Sequence, residues 1–146
     1  SDIPAGVYTD LVFTLGVDSL RNVDGAQTGA LSVANEMFWS WNSGYIMLKA
    51  EGTSPQSSNG SFIFHLGGFS GANNIVTEKT LSLLATPLTV VANNENMIHM
   101  QVNPGKLWHS SPSVSVTNKI HMPGTSAKDM AMSLFENNSF VIHHVK

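Results

Sequence analysis

The chain has 146 residues, 42% hydrophobic and only 12% charged, with a formal net charge of −3. That is one domain, 1–146, with enough chain to close a core. It has no basic stripe for nucleic acid, no apolar run near the ~20 residues of a membrane span, and no cysteine for disulfides or thiolate chemistry.

Polarity rests on 18 Ser, 13 Asn and 10 Thr, a neutral surface common in exported β-rich proteins. The chain opens without a charged-then-apolar leader, which reads as a mature form, a trimmed form or a fragment. Period-two alternation then dominates. Leu11, Phe13 and Leu15 alternate with Val12 and Thr14 up to Gly16. Ile46, Leu48 and Ala50 alternate with Tyr45, Met47, Lys49 and Glu51 up to Gly52. Phe62, Phe64 and Leu66 alternate with Ser61, Ile63 and His65 up to Gly67-Gly68. Leu81, Leu83, Leu88 and Val90 suggest a strand pair around Pro87. Ile98, Met100 and Val102 alternate with Met97, His99, Gln101 and Asn103 up to Pro104-Gly105. Val114 and Val116 read as a short strand, and Phe140 to Val145 as the last one.

Strands spaced by Gly, Asn, Ser and Pro predict a mostly β protein, an antiparallel β-sandwich or open barrel. One short α-helix is expected over about 126–137. Ala127, Met130, Ala131, Leu134 and Phe135 share a face there, Ser126 is the expected N-cap, and Asn137-Asn138 ends the helix. A short turn is expected over Ser32 to Phe38, and the Ser-, Gly- and Asn-rich stretches 53–60, 68–78 and 91–96 read as surface loops.

Six histidines are the best metal ligands in so uncharged a chain: His65, His99, His109, His121, His143 and His144. Imidazole suits copper, zinc and nickel. No short ligand spacing is present, so a site must be assembled from separate strands. The alternation turns His65 and His99 away from Phe62, Phe64 and Leu66 and from Ile98, Met100 and Val102. These two are the first candidate ligands. His121, His143 and His144 follow as further donors. The plain alternative is six ordinary histidines, each making one hydrogen bond.

The segment Met37 to Tyr45 carries Trp39 and Trp41, which point the same way if extended. They read as a packed aromatic corner, as a sugar-stacking platform, or as oxidisable indoles beside a metal. Glu51 shares a strand face with Tyr45 and Lys49, which suggests a Lys49–Glu51 surface pair before a ligand role. No nucleophile elbow, phosphate loop or paired-carboxylate motif appears, so the chain is not expected to be an enzyme. A non-catalytic carbohydrate-binding or adhesion module using Trp39 and Trp41 is the second reading.

Four blocks together resemble the MbnP-like family, the methanobactin-associated periplasmic copper-binding proteins and their Bacteroidetes homologues. They are Ile3 to Tyr8 with Phe13 to Asp18, and Gly29-Ala30-Leu31 through Met37 to Tyr45 and on to Glu51-Gly52. The others are Phe64-His65-Leu66-Gly67-Gly68, and Ile98-His99-Met100 with Met122-Pro123-Gly124 and His143-His144-Val145. The resemblance implies an exported β-sandwich that binds copper, located in the periplasm or at the cell surface. It also implies a di-haem, MauG-like peroxidase as partner, which in relatives oxidises a tryptophan to a kynurenine that joins histidines at the copper. In one relative that tryptophan lies two residues before a ligand histidine. Here that position is Ile63, so the modified residue would have to be Trp39, Trp41 or Trp108. The family domain also has further N-terminal strands. A sandwich without them would leave an unpaired edge and associate through it.

Overall fold

The computed structural model describes residues 3–146. Ten strands and two helices follow in order: β1 (Gly6–Tyr8), β2 (Asp10–Leu15), α1 (Ser19–Val23), β3 (Phe38–Ser40), β4 (Gly44–Thr53), β5 (Ser61–Gly67), β6 (Thr77–Ser82), β7 (Leu88–Val90), β8 (Ile98–Val102), β9 (Lys119–Ile120), α2 (Thr125–Glu136) and β10 (Phe140–Val145). The protein is mostly β, its sheets do not close, and α2 is the one long helix.

One sheet has four strands in the order β3-β4-β5-β9; the others are the pairs β2-β6, β1-β7 and β8-β10. All pairings are antiparallel except β5 with β9, where Ile63 lies opposite Lys119 and Phe64 opposite Ile120. That parallel pair is a departure from the all-antiparallel expectation. A strand as short as Lys119-Ile120 carries no alternation of its own.

Two apolar centres result. The main one packs Phe64 and Leu66 of β5 against Ala127, Met130, Ala131, Leu134 and Phe135 of α2, with Ile75, Leu107 and Ile120 around them. Each large side chain fully buried there contributes about 2 kcal/mol. Phe13 of β2 meets Phe140 of β10 edge-on at 5.8 Å, and Lys79 Nζ donates to the Phe135 carbonyl at 2.7 Å, tying the β2–β6 pair to α2. The second centre is small: Leu83, Leu88 and Val90, with Tyr8, Leu11, Ile98, Ile142 and Val145 packed on them.

Several local expectations need correction. Helix α2 starts on Gly124, not Ser126, and no side chain caps it. Ser126 lies inside its first turn, because Gly124 adopts the non-helical backbone that precedes the helix. At its other end Asn137 Nδ2 donates back to the Ser133 carbonyl at 2.7 Å, as the Asn pair suggested. Val114 and Val116 lie in a turn: Val116 and Thr117 both donate backbone N–H to the Ser113 carbonyl, so the chain folds on itself rather than extending. The expected surface stretches also dip inward, since Ile75 and Ser57 are buried. In β8, Met100 and Val102 are exposed rather than core-facing, and only Ile98 reaches the second centre. The expected turn after Ser32 is present as a 3-10 turn at Val33–Asn35, capped by Ser32.

Candidate metal centre

The hairpin β4–β5 sets the first group of residues. Lys49 lies directly opposite His65, and Glu51 opposite Ile63, so Glu51 is the diagonal neighbour of His65 on the face away from α2. Diagonal pairs on one sheet face are within reach of long side chains. His65 Nε2 donates to Glu51 Oε1 at 2.6 Å. Glu51 therefore pairs with His65, not with Lys49, whose Nζ reaches Glu36 Oε2 at 3.8 Å. The hydrogen bond from His65 holds the Glu51 carboxyl below its ordinary range, with Lys49, His65 and His121 adding attraction and desolvation opposing.

An ionised carboxylate only accepts. It therefore takes the proton on Nε2, and a neutral His65 then has its lone pair on Nδ1. That Nδ1 is buried and has no hydrogen-bond partner.

The parallel strand β9 delivers the neighbour. Ile120 pairs with Phe64, so the following residue, His121, arrives beside His65 with ring centroids 4.5 Å apart. His121 is exposed and lines a hollow of about 310 Å³ with Met122, Pro123 and the start of α2. Trp39 also meets this imidazole, its ring T-shaped to His121 at 6.0 Å. Gly67 makes room for that indole: a Cβ there would strike the Trp39 ring and approach the Tyr45 carbonyl to 2.8 Å.

The two tryptophans do not share a face, as an extended segment would require. β3 ends at Ser40, so Trp41 falls in the turn and is 75% exposed, whereas the Trp39 Nε1 is buried. The aromatic corner itself is present. Phe38 packs on Tyr45 at 4.8 Å, and the Tyr45 hydroxyl donates to the Leu31 carbonyl at 2.8 Å.

Asn22, which carried no sequence signal, anchors this corner from α1. It is fully buried, accepts from the Tyr45 N–H at 2.8 Å and donates to the Val17 and Asp18 carbonyls at 2.7 and 2.9 Å.

His99 belongs to a different sheet. In the β8–β10 ribbon it lies opposite His144, and the two rings stack at 3.9 Å and 19°. The register shifts between Ile142 and His144, a bulge that contains His143. The Nδ1 atoms of His143 and His144 lie 2.7 Å apart. Desolvation, then the charges of His99, His143 and Lys146, lower the His144 pKa from its ordinary value.

The histidines thus form two groups: His65 with His121 and Glu51, and His99 with His143 and His144. His109 stands apart, exposed at the end of the 3-10 turn Pro104–Trp108. Among the described residues, no three His, Asp or Glu side chains are already arranged around one point. A hollow of about 720 Å³ beside β7 and the 91–96 loop is lined by apolar and amide residues and touches neither group.

The family model MbnP matches residues 1–129. The chain belongs to the MbnP family. The matched span contains Trp39, Glu51, His65, His99 and His121, and stops short of His143 and His144. Searches of curated proteins and of solved structures return no match. Among the described residues no helix is long and apolar enough to cross a membrane.

Proposed function

We propose that this MbnP-family chain is an exported, non-catalytic copper-binding protein whose ion rests on Nδ1 of His65 and on the His121 imidazole. The observation that carries the reading is the buried, unpartnered His65 Nδ1 beside a second imidazole. A buried polar nitrogen without a partner is costly in an ordinary core. Its lone pair is kept free by Glu51, the arrangement in which a carboxylate orients a metal-ligating histidine and raises its basicity. The donor chemistry fits copper, with zinc and nickel as competitors for the same imidazoles. Copper supplies a redox-active cation; the chain supplies neutral nitrogen donors, a fixed tautomer and an indole wall at Trp39.

Family membership and the neutral, amide-rich composition support export and a periplasmic or surface location. The di-haem peroxidase partner rests on the family resemblance; if such a partner acts on this chain, Trp39 is the indole set against the histidine pair. Open two-stranded sheets have free edges, which supports self-association read by light scattering. The sugar-binding reading retains only Trp41, a single exposed indole.

Titration of the untagged chain with Cu(I) and with Cu(II) tests the proposal. Binding tighter than micromolar is expected, with loss of that site in His65→Ala and in His121→Ala. Micromolar or weaker binding, or a site unchanged by His65→Ala, overturns it.

A further inference from the structure

We propose a second, separate metal site on the β8–β10 ribbon, in which Nδ1 of His143 and Nδ1 of His144 chelate one soft or borderline cation. The argument begins with the backbone. Consecutive residues of a regular strand point to opposite faces. The bulge between Ile142 and His144 breaks that rule, and bulges re-aim side chains. Here the result is two adjacent imidazoles with converging nitrogens, 2.7 Å apart between Nδ1 atoms.

Two bare lone pairs at that distance repel, so one proton must lie between them. One nitrogen donates and the other accepts. A cation can take the place of that proton. Metal–nitrogen bonds of about 2.0–2.1 Å put two donors roughly 3–4 Å apart, depending on the angle. A modest opening of the exposed His143 ring supplies the difference.

His99 has a different task. Its ring lies nearly parallel to that of His144, so their in-plane lone pairs run side by side and cannot meet at one ion. This is why the three histidines do not already form a three-donor cage. Stacking instead holds the His144 ring in its rotamer, and Ile98 opposite Val145 fixes the ribbon below it on the second apolar centre. His99 is a positioning residue. The site lies outside the family match and does not depend on the His65 reading.

The test uses the full, untagged chain with Cu(I) or Zn(II) as the only added ligand. The His65→Ala/His121→Ala double variant removes the first site and isolates the second. We expect one ion still bound, lost on adding His143→Ala or His144→Ala, with imidazole nitrogen NMR shifts moving at Nδ1 of both residues. His99→Phe keeps a stacking ring without a donor and should retain binding, whereas His99→Ala should weaken it. Circular dichroism confirms that each variant is folded. No ion on the double variant, or coordination through Nε2, overturns the second site while leaving the first intact. Loss of binding in His99→Phe overturns the positioning role. If the wild type binds one ion that only His143→Ala removes, the second site stands and the His65 reading fails.

Discussion

The two histidine groups differ in what holds them. His65 sits inside a seven-residue strand, backed by Phe64 and Leu66 in the main core, and meets Glu51 and His121, with Trp39 against His121. His99, His143 and His144 sit on a two-stranded ribbon over a centre of three buried apolar residues. The first group is built by long-range packing and the second by a local bulge. An isolated two-stranded ribbon is marginal in water, so the second group depends on the small centre beneath it. The first should therefore be rigid and sensitive to volume, and the second adaptable and sensitive to charge.

Adding a single methyl group is the strongest way to break that contrast. Gly67→Ala forces Trp39 and the Tyr45 carbonyl apart and should cost about 3 kcal/mol, read by urea melts, while disrupting the His65 site and sparing the ribbon. An equal effect on both groups would refute the division. Asn22→Ala comes next. It leaves the Tyr45 N–H and two carbonyls without their buried partner, for a loss of about 2–3 kcal/mol by the same melts.

Glu51→Gln is gentler, since it keeps the shape and removes the charge. It should weaken copper at the first site by about 10–100-fold. It also sharpens a pH effect in the metal-free protein. The Glu51 pKa is lowered on folding, so its contribution is present above the ordinary value of 4.5 and lost as pH falls through the folded value. Wild type should therefore lose its advantage over Glu51→Gln on acidification, as thermal melts at a series of pH values would show.

The smallest effect belongs to the ribbon and falls in a different pH window. The His144 pKa is also lowered on folding, but for a base this means that the unfolded chain takes the proton first. Above about 6.5 His144 contributes nothing to pH dependence, and below it acidification destabilises the fold. His144→Phe should flatten the Tm profile between the ordinary His144 value and the onset of the Glu51 effect. An unchanged profile would mean that neither burial nor the neighbouring His99 disfavours the charged ring.

Much of this protein can be read directly from its residues. Alternation in Asp10–Leu15 and the helical face from Ala127 to Phe135 are local signals, and they emerge where expected; Ser61–Gly67 and Ile98–Val102 emerge as strands, the second with Met100 and Val102 turned outward. The same alternation turned His65 off the core face and set Glu51 on the outer face of the preceding strand, so their diagonal contact was within reach of a hairpin register. Helix α1 escaped notice because its five residues are too few for a period, and Asn22 reveals itself only through its partner Tyr45.

Sequence by itself determined the β character, the long helix and the set of histidines, because side-chain alternation and apolar spacing are properties of neighbouring residues. Tertiary structure alone decided which histidines meet. His121 reaches His65 through a parallel pairing of strands more than fifty residues apart, and His143 joins His144 through a one-residue bulge whose register is set by β8. Neither the partner of a two-residue strand nor the position of a bulge is written in local periodicity; both are fixed by how the sheets bury their faces.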